Sequence, residues 1–379
     1  MFRQYILIGA DIVPTKHNIN LFIRGDIDSL IGKKLKEINN NATLRIYNLE
    51  TPLADTLNLI KKHGPNLIAP TTVIKGYKAL NIDLLTLANN HILDQGVDGL
   101  ISTLSILNQY DIAHIGAGKN LEDASKPQIY SFANKTIGVY ACAEHEFSIA
   151  TENTPGANPF DALYSLDHIT TLKTQCDFVI VLYHGGKEYY RYPSPNLQKV
   201  CHRLVDKGAN LVVCQHSHCI GCEERYKNGI IVYGQGNFIF DGSNNEFWQT
   251  SLLISINDQF EISYFPISKH NHFIQLAEEK EGKSILNNFY KRSEEIKTPE
   301  FIEKKYKEFS SFYLPNYLSS IQGHESFLFR LCNKMLGNYL RLNQIKKKYD
   351  EQHLLALRNY IECEAHKELL LMGINEKLY

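Results

Sequence analysis

Short apolar segments that end abruptly in acidic, amide or histidine residues recur along the first two thirds of this 379-residue chain. Each segment has the length and the composition of a buried β-strand. The segments, with the residues that follow them, are 5–8 with Gly9-Ala10-Asp11, 44–47 with Asn48-Leu49-Glu50, 84–87 with Ala88-Asn89-Asn90-His91, 178–183 with His184, and 211–214 with Gln215-His216-Ser217-His218. This pattern predicts a set of strands that carry polar side chains at their ends.

Helical patterns separate these predicted strands. Apolar residues at i, i+3 and i+4 steps predict one helix around residues 97–104 and another around 197–205. The second has the expected punctuation, with Ser194-Pro195 at its start and Gly208 just beyond its end. Strands that alternate with helices favour an α/β layered fold, in which the carboxyl ends of the strands line one crevice. We therefore expect the polar residues at the strand ends to meet in that crevice.

The histidines His216 and His218 suit a metal site. Two imidazoles at i and i+2 of a turn can converge on adjacent ions, and imidazole suits zinc, iron and manganese. A His-X-His pair is common by chance, and each polar strand end taken singly is better explained as a cap or a satisfied polar group. The agreement of five strand ends is what favours a metal site.

The composition argues against several classes of protein. The formal net charge is −1, so no excess of Lys and Arg is present to attract a nucleic acid. No apolar run approaches the ~18 residues of a membrane span, and a predicted strand begins almost at the first residue, so we expect a cytoplasmic protein without a secretory signal. Cys219 and Cys222 form a single Cys-X-X-Cys pair, which favours reduced, packed thiols over a four-ligand structural zinc site.

The pattern changes near residue 270. Strand-like runs at 251–256 and 260–266 suggest a sheet that finishes antiparallel, and helical patterns rich in Lys, Glu and Tyr follow. We predict an α/β domain at residues 1–268 and a helical region at 269–379. The helical region is expected to cap the fold or to mediate a homo-oligomer or a biosynthetic complex, with a substrate domain as the alternative.

Five motifs occur together in a fixed order: Asn48-Leu49-Glu50-Thr51-Pro52, Ala88-Asn89-Asn90-His91-Ile92-Leu93-Asp94-Gln95-Gly96, His184-Gly185-Gly186-Lys187-Glu188, Gln215-His216-Ser217-His218 and Tyr233-Gly234-Gln235-Gly236-Asn237-Phe238. In order and spacing they resemble the bacterial capsule-synthesis CapA family, which is itself similar to the calcineurin-like metallophosphoesterases. The resemblance covers roughly residues 3–260. Each motif alone is unspecific, whereas the set is specific.

The resemblance implies a four-layered α/β sandwich of metallophosphoesterase type with a C-terminal helical extension. It also implies two divalent metal ions, Mn, Fe or Zn, in the crevice at the strand ends. Asp11, Glu50 and His218 would serve the first ion, with Glu50 in the bridging position. The second ion would be served by Asn90, His184 and His216.

The chain departs from the metallophosphoesterase pattern at the first ion. That pattern opens with Asp-X-His, whereas this chain has Asp11-Ile12-Val13, so one imidazole ligand is missing. The bridging ligand of the pattern is Asp, and here it is the longer Glu50. We therefore expect the first ion to bind weakly, to be absent, or to recruit a distant residue such as His17.

Residues beside the ligands are candidates for catalysis and for substrate binding. His91 follows a ligand by one position, so it can act as general acid without binding the metal, and Asp94 would orient it. Glu188 and Asn237 are expected to contact the substrate. Arg191 lies among tyrosines, where its guanidinium suits a carboxylate or a phosphate, and a plain surface loop explains this segment equally well.

Three functions are compatible with these motifs. The first is a metal-dependent hydrolase, linked to capsule or exopolymer biosynthesis, that acts on a phosphoester-like bond, because a metal pair activates water and holds the attacking and leaving oxygens. The second is a metal-dependent hydrolase or transferase of amide or ester bonds in a poly-glutamate-like polymer or peptide. The third is a non-enzymatic, metal-stabilised scaffold. The first two predict an anionic small-molecule or polymer substrate.

Overall fold

The structure is a computed structural model that describes residues 4–241, 243–270, 272–323, 331, 333–337 and 339–378. The strands, in chain order, are β1 Tyr5–Ile12, β2 Leu44–Leu49, β3 Leu84–Thr86, β4 Ala113–Ile115, β5 Ala117–Gly118, β6 Gln128–Phe132, β7 Lys135–Ala143, β8 Gly156–Ala157, β9 Phe178–His184, β10 Leu211–Gln215, β11 Glu223–Tyr226, β12 Gly229–Tyr233, β13 Asn237–Ile239, β14 Thr250–Asn257, β15 Ile262–His270 and β16 Phe273–Leu276.

Helices connect the strands and follow them. They are α1 Ile19–Arg24, α2 Lys33–Asn41, α3 Ile74–Ala79, α4 Gly96–Gln109, α5 Leu121–Ala124, α6 Ser165–Gln175, α7 Pro195–Asp206, α8 Glu246–Gln249, α9 Glu279–Glu295 and α10 Phe301–Gln322, with a 3-10 turn at Thr71–Val73 and further helices at Tyr339–Lys348, Glu351–Glu362 and Glu364–Leu378. The helix predicted around residues 197–205 is α7, and the Ser194 side chain caps it by accepting from the Leu197 N–H at 3.0 Å.

Most of the strands belong to two mixed β-sheets. The first has the order β16-β15-β14-β1-β2-β3-β4, with β13 also paired to β1, and the second has the order β11-β12-β10-β9-β7-β6. Strands β1 to β4 run parallel to one another, and so do β7, β9, β10 and β12, whereas β14 to β16 finish the first sheet antiparallel as predicted. Parallel strands place their carboxyl ends together.

Three hydrophobic clusters define the layers of the fold. The middle cluster fills the space between the sheets and includes Ile8 of β1 and Ile180 of β9. A second cluster packs the outer face of the first sheet against helices, with Phe22 of α1 in it. The third packs the outer face of the second sheet against α6 and α7, with Ile169 and Leu204. The order helix, sheet, sheet, helix confirms the predicted four-layered α/β sandwich.

Successive side chains of β1 point into different hydrophobic clusters, which explains why residues 6–8 are all apolar. Ile6 and Ile8 point into the middle cluster, whereas Leu7 between them belongs to the outer cluster. A strand that is covered by protein on both faces needs apolar side chains at every position. Polar residues can enter near the carboxyl end of the strand, and Asp11 is the first of them.

The described residues divide into two compact units, Met1–Ile302 and Glu303–Tyr379. The sequence-based boundary at residue 268 falls inside β15, and both β16 and α9 belong to the first unit. The second unit is helical and exposes large apolar side chains such as Leu369 and Met372. Within the described residues, no helix combines the length and the apolar character that crossing a bilayer requires.

Candidate metal centre

Glu50 joins two clusters of possible metal ligands among the described residues. It follows β2 directly and is completely buried. One cluster consists of Glu50, His184 and His216, and the other of Asp11, Glu50 and His218; within each cluster the ligand atoms lie within 4.8 Å of one another. Residues from four strand ends, which lie 39 to 168 positions from Glu50 along the chain, therefore come together around one carboxylate.

The cluster around His184 brings three lone-pair donors together. His184 ends β9, and its Nε2 lies 3.3 Å from Glu50 Oε1 and 3.2 Å from Asn90 Oδ1. The ring of His216, which follows β10, is 4.9 Å from the ring of His184, centroid to centroid. Because carboxylate, amide and imidazole atoms all face the same space, a cation there would bind each of them.

The cluster around Asp11 is tied to the first by an amide. Asn48 Nδ2 donates to Asp11 Oδ1 at 2.8 Å and lies 3.4 Å from His184 Nδ1. Asp11 Oδ2 is 3.8 Å from His218 Nδ1. That nitrogen is also 2.8 Å from Asn237 Oδ1, a contact that fixes the orientation of the His218 ring. Asn237, predicted at the substrate, thus contacts a candidate ligand.

Both histidines of the His-X-His pair have a left-handed backbone. The φ angles are 86° at His216 and 51° at His218, a conformation that costs a non-glycine residue on the order of 1–3 kcal/mol. The glycine-rich turn packs beneath them: Gly234 has φ 117°, and a Cβ there would lie 2.6 Å from Ser217 Oγ. The glycine is therefore needed for a close backbone approach that holds both imidazoles in place.

Several buried ligand atoms have no hydrogen-bond partner in the described part of the chain. They are Asp11 Oδ2, both carboxylate oxygens of Glu50, and His216 Nδ1. A buried carboxylate without a partner is strongly unfavourable, and a bound cation removes that cost. The donor set of carboxylate, amide and imidazole groups suits a divalent transition metal, so the residues fit the implied ions.

Burial shifts the pKa of the carboxyl ligands and the pKa of the imidazole ligands in opposite directions. It raises the pKa of Asp11 to about 7, with the neighbouring Glu50 as the next cause, and it raises the pKa of Glu50. Burial also holds the pKa of His184 and of His216 well below the usual range, and neighbouring imidazoles add to this effect. Both imidazoles are therefore in the neutral form that binds a metal.

His91 is held by the buried carboxylate of Asp94. Its Nδ1 lies 2.6 Å from Asp94 Oδ2, as expected for an orienting carboxylate. Asp94 also accepts from the Leu67 N–H at 2.6 Å and from the Lys62 ammonium. Lys62 lies 3.3 Å from the same nitrogen of His91, and its side chain is 2% exposed. The charge of His91 contributes to the pKa of Glu50, so the ring lies near the ligands.

Other residues considered from the sequence lie at the rim or outside the centre. Glu144, which follows β7, lies 3.9 Å from His216 Nε2 and accepts from the Gly186 N–H at 3.0 Å. The charge of Glu188 acts on Glu50, which places it nearby. Arg191 donates to the Ile220 carbonyl and pairs with Glu246, so it is not among the metal ligands.

One basic side chain lies outside the centre, and another lies near Asp11. His17, considered as a substitute ligand, is exposed and lies 3.1 Å from Asp241 rather than in a ligand cluster. Lys269 of β15 is buried, and burial lowers the pKa of its ammonium to about 7 against the opposing charges of Asp11 and Asp241. The sequence analysis missed Lys269, because a lysine within a strand-like run gives no local signal of its tertiary neighbours.

Comparison with known protein families identifies the family of this chain. The sequence profile described as "Bacterial capsule synthesis protein PGA_cap" matches residues 6–242, which is more than half of the chain. The chain belongs to the PGA_cap family. The matched range includes every candidate ligand from Asp11 to His218 and ends before β14, so the last strands of the first sheet and α9 lie outside it.

Curated relatives of this PGA_cap chain carry capsule names. It is 31% identical over 261 residues to "Capsule biosynthesis protein CapA" of Bacillus anthracis, covering 61% of this chain and 62% of the relative. It is 34% identical over 172 residues to "PGA biosynthesis protein CapA" of Bacillus subtilis (strain 168), covering 44% of this chain and 45% of the relative. The matched region thus spans about half to three fifths of the relatives' length.

Solved structures with a similar arrangement include phosphoesterases. A novel phosphatase from Mycoplasma pneumoniae superposes with a TM-score of 0.43 at 16% identity, over 71% of this chain and 95% of that chain. A 5'-nucleotidase from Candida albicans SC5314 superposes with a TM-score of 0.39 at 12% identity, over 82% of this chain and 58% of that chain. Neither superposition supports an inference about activity.

Proposed function

We propose that this PGA_cap protein is a metal-dependent hydrolase with two divalent ions, which acts on a phosphoester-like bond in capsule or exopolymer biosynthesis. The observation that carries the proposal is the position of Glu50, a buried carboxylate without a hydrogen-bond partner in the described residues, shared by two ligand clusters. Asp11, Glu50 and His218 would hold one ion, and Glu50, Asn90, His184 and His216 the other.

The ions, when bound, would lower the pKa of a bound water and hold the attacking and leaving oxygens of the substrate. The protein fixes the ligands before any substrate arrives: Asn48 holds Asp11, Asn237 orients His218, and the left-handed backbone at residues 216 and 218 aims both imidazoles. Because these groups are buried, little reorganisation is needed when charge develops in the transition state.

His91 is proposed as the general acid. Asp94 holds its Nδ1, which leaves Nε2 to exchange a proton with the leaving group. Lys62 donates to Asp94 and so keeps that carboxylate in place. Glu188 is proposed at the substrate, and Glu144 beside His216 is a further candidate for contact with it.

A second candidate function is hydrolysis or transfer of amide bonds in a glutamate-containing polymer. The names of the relatives favour it, since one is a "PGA biosynthesis protein CapA" and another a "Probable polyglutamine synthesis accessory protein". The same metal centre would serve both reactions, because water activation and oxyanion stabilisation are common to ester and amide hydrolysis. The bond that is cleaved therefore needs a direct test.

The test combines metal analysis with a substrate panel. Protein purified without chelator is assayed for metal and then for turnover of bis-p-nitrophenyl phosphate, p-nitrophenyl phosphate and γ-glutamyl-p-nitroanilide. We expect metal-dependent turnover of a phosphoester that chelation abolishes and divalent metal restores. Turnover of the anilide alone would support the second candidate, and metal-loaded protein without turnover of any substrate would contradict an enzymatic function.

A further inference from the structure

Tyr189 has a left-handed backbone in the loop between β9 and α7. Its φ angle is 59°, a strained conformation for a residue with a side chain, which persists only where the surrounding structure holds it. The Tyr189 N–H donates to the Ser217 oxygen at 2.8 Å, and Ser217 is the middle residue of the His-X-His turn. The loop is therefore tied to the turn that carries two candidate ligands.

The ring of Tyr189 lies on the Asp11 side of the candidate metal centre. It is 6.1 Å from the ring of His218, centroid to centroid, and His218 forms a ligand cluster with Asp11 and Glu50. Burial raises the pKa of Tyr189, and the charges of Glu188 and Glu50 raise it further. The phenol therefore lies near the shared ligand and near a residue proposed at the substrate.

Trp248 orients the hydroxyl of Tyr189. The two side chains are joined by a hydrogen bond, and their ring centroids are 6.3 Å apart. The indole N–H can only donate, so the Tyr189 oxygen is the acceptor. The hydrogen of the phenol is not used in that bond, and it can be donated to a substrate. Trp248 also stacks on His218 at 5.3 Å, so one indole positions both the phenol and a candidate ligand.

Aromatic rings surround the phenol. Phe247 stacks on Tyr189 with 6.1 Å between ring centroids, and Phe240 packs edge-on against Trp248 at 4.8 Å. The ring of Phe240 is also 5.6 Å from that of His218. Apolar surroundings lower the local dielectric constant, which strengthens a hydrogen bond to an anionic oxygen.

We propose that Tyr189 is a catalytic residue whose hydroxyl donates a hydrogen bond to an anionic oxygen of the substrate. The inference rests on the proposed hydrolysis of a phosphoester-like bond. The Asp11 cluster has two carboxylates and one imidazole, whereas the His184 cluster has one carboxylate and two imidazoles. An anionic oxygen therefore meets more negative charge on the Asp11 side, where a neutral donor that is already oriented stabilises it most.

The test compares Tyr189→Phe with the native full-length protein, both loaded with Mn²⁺, because this change keeps the ring and removes only the hydroxyl. On bis-p-nitrophenyl phosphate we expect kcat to fall by roughly 10²- to 10³-fold with little change in KM, since the donor acts on charge that grows in the transition state. Metal content and unfolding temperature should stay native. An unchanged kcat, or a loss of metal together with activity, would overturn the proposal.

Tyr192→Phe is the matched control. It also removes one phenolic hydroxyl, but that hydroxyl donates to Glu295 of α9 at 2.6 Å. We expect native kcat and KM in this variant, and a loss equal to that of Tyr189→Phe would contradict a specific role for Tyr189.

Binding of orthovanadate separates this proposal from the proposed function. Calorimetric titration of the Mn²⁺-loaded proteins should show about tenfold or more weaker binding to Tyr189→Phe, as expected for the loss of one charge-assisted hydrogen bond. If the native protein hydrolyses no phosphoester, the proposed function fails, and weaker vanadate binding in the variant still supports Tyr189 as an oxyanion donor. Equal affinity in both proteins, or no binding to the native protein, would overturn that role.

Discussion

The two halves of the candidate metal centre differ in their ligands. The half around His184 combines two imidazoles, an amide and the shared Glu50, whereas the half around Asp11 combines one imidazole with two carboxylates. The missing imidazole is the one that Asp-X-His would provide, and Ile12-Val13 stand in its place. Lys269 adds a buried positive charge on the side of Asp11.

This difference in ligands predicts that the centre combines one strong metal site with one weak metal site. Neutral imidazoles bind transition metals without first losing a proton, and burial keeps His184 and His216 neutral. The other half must deprotonate Asp11, whose pKa is raised to about 7, before it can bind an ion. We therefore infer that the site at His184 fills first and the site at Asp11 second.

Removing Glu50 tests what the two halves share. Glu50→Gln is expected to abolish binding of both ions and with it all metal-dependent turnover, because the carboxylate belongs to both clusters. In chelator the same variant should unfold at a higher temperature than the native protein, since its neutral amide is less costly to bury than an unpaired carboxylate. Metal content by elemental analysis and thermal unfolding check both outcomes. Full metal content in the variant would show that Glu50 is not a ligand.

Removing one histidine from each half separates the sites. His216→Ala should lose the strong site and turnover together, whereas His218→Ala should keep about one ion per chain, because its own cluster is the weaker one. Both histidines are buried and have a left-handed backbone, so each variant is a matched control for the other. Metal stoichiometry after dialysis is the measurement. Identical losses in the two variants would contradict an unequal pair of sites.

Removing His91 distinguishes a proton donor from a ligand. His91→Ala should retain near-normal metal content and lose turnover by roughly 10²- to 10⁴-fold, with the smallest loss for substrates whose leaving groups need little protonation. His216→Ala is the comparison, because there metal and activity fall together. The measurement is metal stoichiometry beside rates on a leaving-group series. If His91→Ala loses metal as His216→Ala does, the role assigned to His91 is wrong.

The pH dependence of stability should reveal the weaker half. The pKa of Asp11 is raised from 3.8 to about 7 on folding, so its protonated form stabilises the metal-free protein at low pH and this contribution is lost as pH rises through 7. Asp11→Asn should therefore gain stability over the native protein between pH 5 and 8, by on the order of a few kcal/mol. Thermal unfolding in chelator checks this, with Asp98→Asn as a surface control. A difference that does not change with pH would contradict it.

The sequence predicted what is local to each strand end. The residues around Glu50, His184 and His216 could be found because an apolar run followed by a polar residue is visible in a short window. The alternation of strands with helices predicted an α/β layered fold, and the family resemblance implied the four-layered sandwich. The roles of these residues remain proposals, and their convergence on one space is what the structure adds.

Contacts between distant segments could not be predicted from the sequence. Lys62 lies in a loop of mostly exposed residues, yet its side chain is buried against Asp94, which is 32 positions away. The sequence identified Arg191 as a guanidinium among aromatic residues. The cavity beside it is also lined by Arg292 of α9, about 100 positions later, which the sequence does not indicate. Likewise, β15 crosses the predicted boundary at residue 268 because it pairs with β14 up to Ser268 and with β16 from Ile267 to His270.

The most direct test of the central claim is the position of bound metal in crystals of the protein purified without chelator and grown with Mn²⁺. Anomalous diffraction should show a peak between Glu50 and His184, and a second, weaker peak between Glu50 and Asp11. Occupancy of the second peak should rise with pH as Asp11 loses its proton. An absence of both peaks, with His184 and His216 bonded only to protein groups, would contradict the account.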